Sequence, residues 1–172
     1  RQHLAVEHVV EAGPVAGVQL GSGELSLGYA ARLGVRGRGP HMDSSGFTAI
    51  VPELLFGEIW SLDASFRSFR GAAGSSRLFV GLSLTSLNVI GQRTEDSRLR
   101  GPTLLGIALP EVGFWFTPGD FAAPYLSYSA PFSYLVSEHV ALELRPSLTI
   151  AFHHDHTPNE LHAWLSAAVL WR

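Results

Sequence analysis

His139-Val140-Ala141-Leu142-Glu143-Leu144-Arg145-Pro146-Ser147-Leu148-Thr149-Ile150-Ala151-Phe152 alternates apolar residues with small, polar or charged ones along its whole length. Val140, Leu142, Leu144, Pro146, Leu148, Ile150 and Phe152 share one parity. His139, Ala141, Glu143, Arg145, Ser147, Thr149 and Ala151 share the other. In a β-strand successive side chains point to opposite faces, so one face is wholly apolar and its reverse is polar or small. A helix would carry Glu143 and Arg145 into the apolar side, so the period predicts a strand.

The same division recurs. Leu25, Leu27, Tyr29, Ala31, Leu33 and Val35 alternate with Glu24, Ser26, Gly28, Ala30, Arg32, Gly34 and Arg36. Leu62, Ala64 and Phe66 oppose Ser61, Asp63, Ser65 and Arg67, and Leu78, Val80, Leu82 and Leu84 oppose Phe79, Gly81, Ser83 and Thr85. From Ala122, the series through Leu126, Tyr128, Phe132 and Tyr134 opposes Ser127, Ser129 and Ser133. Runs begin near Leu4, Glu24, Phe47, Ile59, Arg77, Thr103, Ala122, His139 and Leu161, separated by breakers such as Gly21-Ser22-Gly23, Gly71 to Ser75 and Thr117-Pro118-Gly119-Asp120. Single-chain barrels have even strand numbers. Eight strands fit the length, and ten follow if Leu4 to Leu20 folds back at Gly13-Pro14.

Composition narrows the environment. The chain has 172 residues, with Lys+Arg 12 against Asp+Glu 15, and every one of the twelve is arginine. That length suits one domain, residues 1–172, with a core of its own. A net charge of −3 argues against nucleic acid as a partner. The absence of cysteine excludes disulfides, thiolate metal sites and cysteine nucleophiles. Charged residues make up only 16% of a chain that is 46% hydrophobic, too apolar for disorder and unusual for a freely soluble protein. The most apolar run, Leu104 to Phe116, is interrupted by Pro110 and Glu111 and falls short of the roughly 18 residues of a membrane helix. The chain begins at Arg1 without an apolar leader, so any targeting peptide is expected to have been removed or omitted.

A soluble sandwich or calycin turns its apolar face inward and clothes the other in charge. Here the second face carries mainly Gly, Ala and Ser, too small and too uncharged for a solvent face. Inverting the assignment resolves the conflict: bulky apolar residues face lipid, while small and polar ones fill a narrow lumen. A closed barrel is the one β architecture that satisfies its backbone in hydrocarbon. Arg32, Glu53, Asp63, Arg67, Glu143 and Arg145 then fall on inward parity, and the cost of a lone buried charge predicts an internal ion-pair network among them. Glu7 and Glu11 share that parity in the first run and are expected as further partners.

The closing segment, Leu161-His162-Ala163-Trp164-Leu165-Ser166-Ala167-Ala168-Val169-Leu170-Trp171-Arg172, carries apolar residues at alternate positions up to an aromatic one. With these runs the chain resembles the small outer-membrane β-barrel proteins of Gram-negative bacteria, whose last strand ends on an aromatic residue. Here Trp171 is penultimate. The resemblance implies an all-β, closed, antiparallel, up-and-down transmembrane barrel in the bacterial outer membrane, with outer-membrane lipid around it. Tyr125, Tyr134, Trp60, Trp115 and Trp171 are candidates for interfacial girdles.

The densest polar cluster is His153-His154-Asp155-His156, followed by Asn159, Glu160 and His162. His154 and His156 share a face on an extended chain and are the candidate metal ligands, against the plainer reading of a solvated loop at the rim. Gly34-Val35-Arg36-Gly37-Arg38-Gly39 lacks the helix a dinucleotide fingerprint requires. Arg36 and Arg38 are read as a solvated turn, with lipid phosphate as the alternative contact. No cofactor is expected.

These features point to a non-enzymatic outer-membrane barrel with a side-chain-filled interior, in a structural role or as an accessory subunit of a larger envelope assembly. The alternatives are a soluble or periplasmic lipocalin-like barrel binding an apolar ligand, and a lipid-modifying hydrolase at the rim. No Ser, His and acid motif marks the latter.

Overall fold

The computed structural model describes residues 7–38, 59–72, 74–90, 103–118, 122–137, 139–153 and 159–172. Nine strand segments follow in chain order: β1 (Glu7–Leu20), β2 (Leu25–Arg38), β3 (Ile59–Gly71), β4 (Ser76–Ile90), β5 (Thr103–Phe116), β6 (Ala123–Ser129), β7 (Phe132–Leu135), β8 (Val140–Ala151) and β9 (Glu160–Trp171). Each pairs antiparallel with its neighbours, and β1 pairs with β9 to close the sheet on itself.

The segments make eight staves. β6 and β7 both lie between β5 and β8, in registers that continue across the break: Ser129 faces Ser147 and Phe132 faces Leu144 on one side, while Ser129 faces Ala108 and Phe132 faces Leu105 on the other. Pro131, which has no N–H for the ladder, sits at the interruption. The ten-strand alternative is corrected by β1, which runs unbroken through Gly13 and Pro14 with both paired to β2 opposite Ala30 and Tyr29. The run placed at Phe47 lies outside the described residues. The other eight each correspond to a stave. Gly21 and Gly23 turn β1 into β2 at φ of 102° and 69°, a region that side-chain-bearing residues resist.

The burial pattern settles which face is outside. Along β8, Leu142, Leu144 and Leu148 are 45%, 45% and 43% exposed, while Glu143 and Arg145 between them are 7% and 5% exposed. The same inversion holds on β2, where Leu25, Leu27, Tyr29 and Leu33 point outward and Ser26 is buried, and on β4, where Val80 and Leu82 are exposed and Ser83 and Thr85 are buried. Staves of 12 to 15 residues such as β8, β9 and β4 exceed the roughly 9–11 needed to cross a bilayer at a tilt.

One stave departs from simple alternation. On β5 the register shifts by one residue between Ala108 and Glu111 against β6, and across the same stretch against β4. One extra residue is thereby accommodated at a bulge that contains Pro110, whose ring is exposed. The bulge resets parity and turns Glu111 into the lumen, where it is 1% exposed.

Candidate functional site

The described side chains of the lumen form two layers. Nearer the chain termini lies a continuous chain of ion pairs. Arg172 Nε lies 2.8 Å and Arg36 Nη2 3.2 Å from Glu11 Oε1, and Arg32 Nη1 lies 3.3 Å from Glu11 Oε2. Arg32 Nη2 then donates to both oxygens of Glu143, at 2.8 and 2.9 Å. Arg145 Nε donates to Glu143 at 3.0 Å, and its Nη1 lies 3.8 Å from Glu111 Oε2. Glu111 Oε1 accepts from Arg67 Nη2 and from the Tyr125 hydroxyl, both at 2.5 Å, and from Ser65 Oγ at 3.2 Å. Glutamates from β1, β5 and β8 thus alternate with arginines from β2, β3 and β8.

Each charge owes its position to its strand. Inward parity aims these side chains at the axis, and the small residues beside them leave room for arginine. Gly34 leaves room instead for the Asp63 carboxylate and for the close approach of β3: a Cβ there would lie 2.2 Å from Asp63 Oδ1 and 2.5 Å from Leu62 O. Asp63 in turn accepts from Ser61 Oγ at 2.8 Å, and Ser61 Oγ accepts from Arg36 Nε at 3.4 Å.

The second layer is aromatic. Phe79 is the hub, with ring centroids 5.1 Å from Trp115, 5.6 Å from Tyr125, 6.1 Å from Phe69 and 6.4 Å from Trp164. Phe69 stacks on Trp164 at 5.8 Å. Arg77 lies over both Trp164 and Trp115, at 5.2 and 5.7 Å, and its guanidinium reaches Gln19 at 3.0 Å and Glu24 at 3.3 Å. Tyr125 joins the layers, since its ring belongs to the aromatic cluster and its hydroxyl to Glu111.

Of the residues singled out from sequence, Arg32, Glu143 and Arg145 meet directly, and Arg67 joins them through Glu111. Asp63 is buried and hydrogen-bonded to Ser61. Glu53, His154 and His156 lie outside the described residues. Nearby, His162 Nε2 is 2.8 Å from Glu160 Oε2 while its Nδ1 bonds Gln19, and His153 Nε2 is 3.9 Å from Glu160 Oε1. Among the described residues, no three His, Asp or Glu side chains are grouped to hold a metal ion.

Three expectations are corrected. Arg36 faces inward to Glu11 and Ser61, because it shares the parity of Arg32, so neither a solvated turn nor a lipid phosphate is its environment. Tyr125 and Trp115 are interior residues, 2% and 7% exposed, and take no part in a girdle. Trp171 and Tyr134 do point outward. With Arg36, Glu111 and Arg172 are the described charged members of the network that sequence reasoning missed. Pro110 was the available signal for Glu111, since a proline inside a strand marks a bulge and a change of parity.

These features define a closed, antiparallel, eight-stranded barrel that is apolar outside and charged inside, the arrangement of a membrane β-barrel. No protein-family model matches the sequence, and no curated protein matches it. Among solved structures, the chain is similar to the crystal structure of Neisserial surface protein A, a small outer-membrane β-barrel, with 11% identity over 97% of this chain and 98% of that one and a TM-score of 0.52. That likeness is one of fold. A de novo designed transmembrane β-barrel aligns at 12% identity over 94% of this chain and 93% of its own, with a TM-score of 0.48.

Proposed function

We propose that this chain resides in the bacterial outer membrane as a non-enzymatic, non-conducting barrel, in a structural role or as an accessory subunit of an envelope assembly. The observation that carries the reading is the alternation on β8, with leucines outward and Glu143 and Arg145 inward. In water this places oil on the surface and charge in the core; in a bilayer both faces meet their preferred surroundings. The lumen supports the non-conducting part. Its ion pairs reach from Glu11 on β1 through β2 and β8 to Glu111 on β5, and the aromatic layer lies beneath. A carrier of apolar ligands would need an oily cavity where these charges stand.

The test is to refold or purify the protein in detergent, compare gel mobility before and after boiling, and insert it into planar bilayers. The reading expects faster migration unboiled and no conductance steps. A monomer stable in plain buffer, or steady channel openings, would overturn it.

A further inference from the structure

The outer wall is not uniformly bulky. Reading across the staves through the registers, Leu27 on β2 faces Ala16 on β1, Ala16 faces Ala167 on β9, Ala167 faces Leu144 on β8, and Leu144 faces Phe132 on β7. Two small residues therefore lie side by side between ridges of large ones. The next row continues the dip, with Pro14 between Tyr29 on β2 and the β9 stave. The result is an open furrow along the seam between the first and last staves, with a volume of about 620 Å³, within the roughly 300–1,000 Å³ of small-ligand sites.

We infer that this furrow is a docking site for a single acyl chain of a membrane lipid. The inference rests on the membrane reading above. Its lining exposes almost only carbon, and its floor of Pro14, Ala16 and Ala167 offers no side-chain donor or acceptor. It is continuous with the lipid-facing wall, so hydrocarbon is the medium already present. A second barrel fits less well. Two convex walls would touch on the ridges at Leu27 and Phe132 and leave the furrow empty, forfeiting dispersion contacts along its length. A flexible methylene chain follows the floor and fills it.

The test uses the full chain in nanodiscs of phosphatidylethanolamine alone and of phosphatidylglycerol alone, released for native mass spectrometry. One lipid should remain per barrel in both, because the furrow recognises the chain and not the headgroup. Ala16→Leu and Ala167→Leu raise the floor to the level of its neighbours and should cut lipid retention about tenfold. Val80→Leu, on the outward face of β4, should not change it. Retention confined to one headgroup, equal retention in the floor variants, or a dimer that those variants dissolve would overturn the proposal. A wild-type barrel that inserts and shows heat-modifiable mobility but keeps no lipid overturns the docking site alone. Failure of every variant and of wild type to insert overturns the membrane reading with it.

Discussion

Arg32 and Glu143 lie 111 residues apart in sequence, yet Arg32 Nη2 donates to both carboxylate oxygens of Glu143 at 2.8 and 2.9 Å. Their staves, β2 and β8, are not neighbours, because β1 and β9 stand between them. The pair therefore reaches across the lumen and ties together strands on either side of the closing seam. Burying two charges is costly, and the attraction between them offsets that cost only while both are present. Removing one partner should hurt more than removing both.

Glu111 offers the sharpest form of that asymmetry. Glu111→Gln leaves Arg67 without its carboxylate and weakens the hold on Arg145 and Tyr125. Urea unfolding in detergent or vesicles should show a loss of about 3–5 kcal/mol. Combining Glu111→Leu with Arg67→Met should recover much of it, since Arg145 keeps Glu143. A double variant as unstable as the single one would contradict the account.

The aromatic layer behaves as a packed core. Phe79 touches Trp115, Tyr125, Phe69 and Trp164, so Phe79→Ala opens a cavity among rings that cannot collapse into it. The expected cost is about 3–5 kcal/mol by equilibrium unfolding. Leu78→Ala, one residue away on the same strand and facing outward, should cost far less.

On the outer face the solvent decides the sign. Leu82 is exposed on the wall of β4. On a water-soluble protein, Leu82→Arg would be near neutral. On a lipid-facing wall it should destabilise the inserted barrel by about 2–4 kcal/mol if it sits near the midplane. Folding into vesicles, followed by the gel mobility shift, reads the difference.

The seam has little tolerance. A Cβ on Gly13 would lie 1.8 Å from Val169 O, and Gly13 and Pro14 form no pairs with β9 although the β1–β9 register keeps the same offset from Ala12–Trp171 to Val15–Ala168. Gly13→Ala should force β1 from β9 and lower the yield of closed, heat-modifiable barrel. Normal yield and stability would contradict so close an approach of β1 and β9 at Gly13.

Most of the fold was legible because a period of two runs through most staves, β5 excepted, and needs no long-range information. The inward set at Arg32, Asp63, Arg67, Glu143 and Arg145 follows from the same parity. Tyr125 was legible too, since it shares parity with Ser127 and Ser129, but an aromatic near a strand end suits a girdle equally well until its ring is placed. Glu111 was hidden by the bulge at Pro110, which breaks the alternation on which the reading depends. Who pairs with whom was beyond the sequence: Arg32 meets Glu143 only because the first and last staves close, and closure is a property of the whole sheet.

The absence of cysteine makes the orientation directly measurable. Single cysteines at Val80, Gly81, Leu82, Ser83, Leu84 and Thr85 along β4, each carrying a small fluorophore, can be read in vesicles whose acyl chains bear nitroxide quenchers. Strong quenching at positions 80, 82 and 84 with weak quenching at 81, 83 and 85 is the predicted result. Uniform quenching, or an alternation of the opposite phase, would contradict a barrel that turns its bulky apolar side chains to lipid.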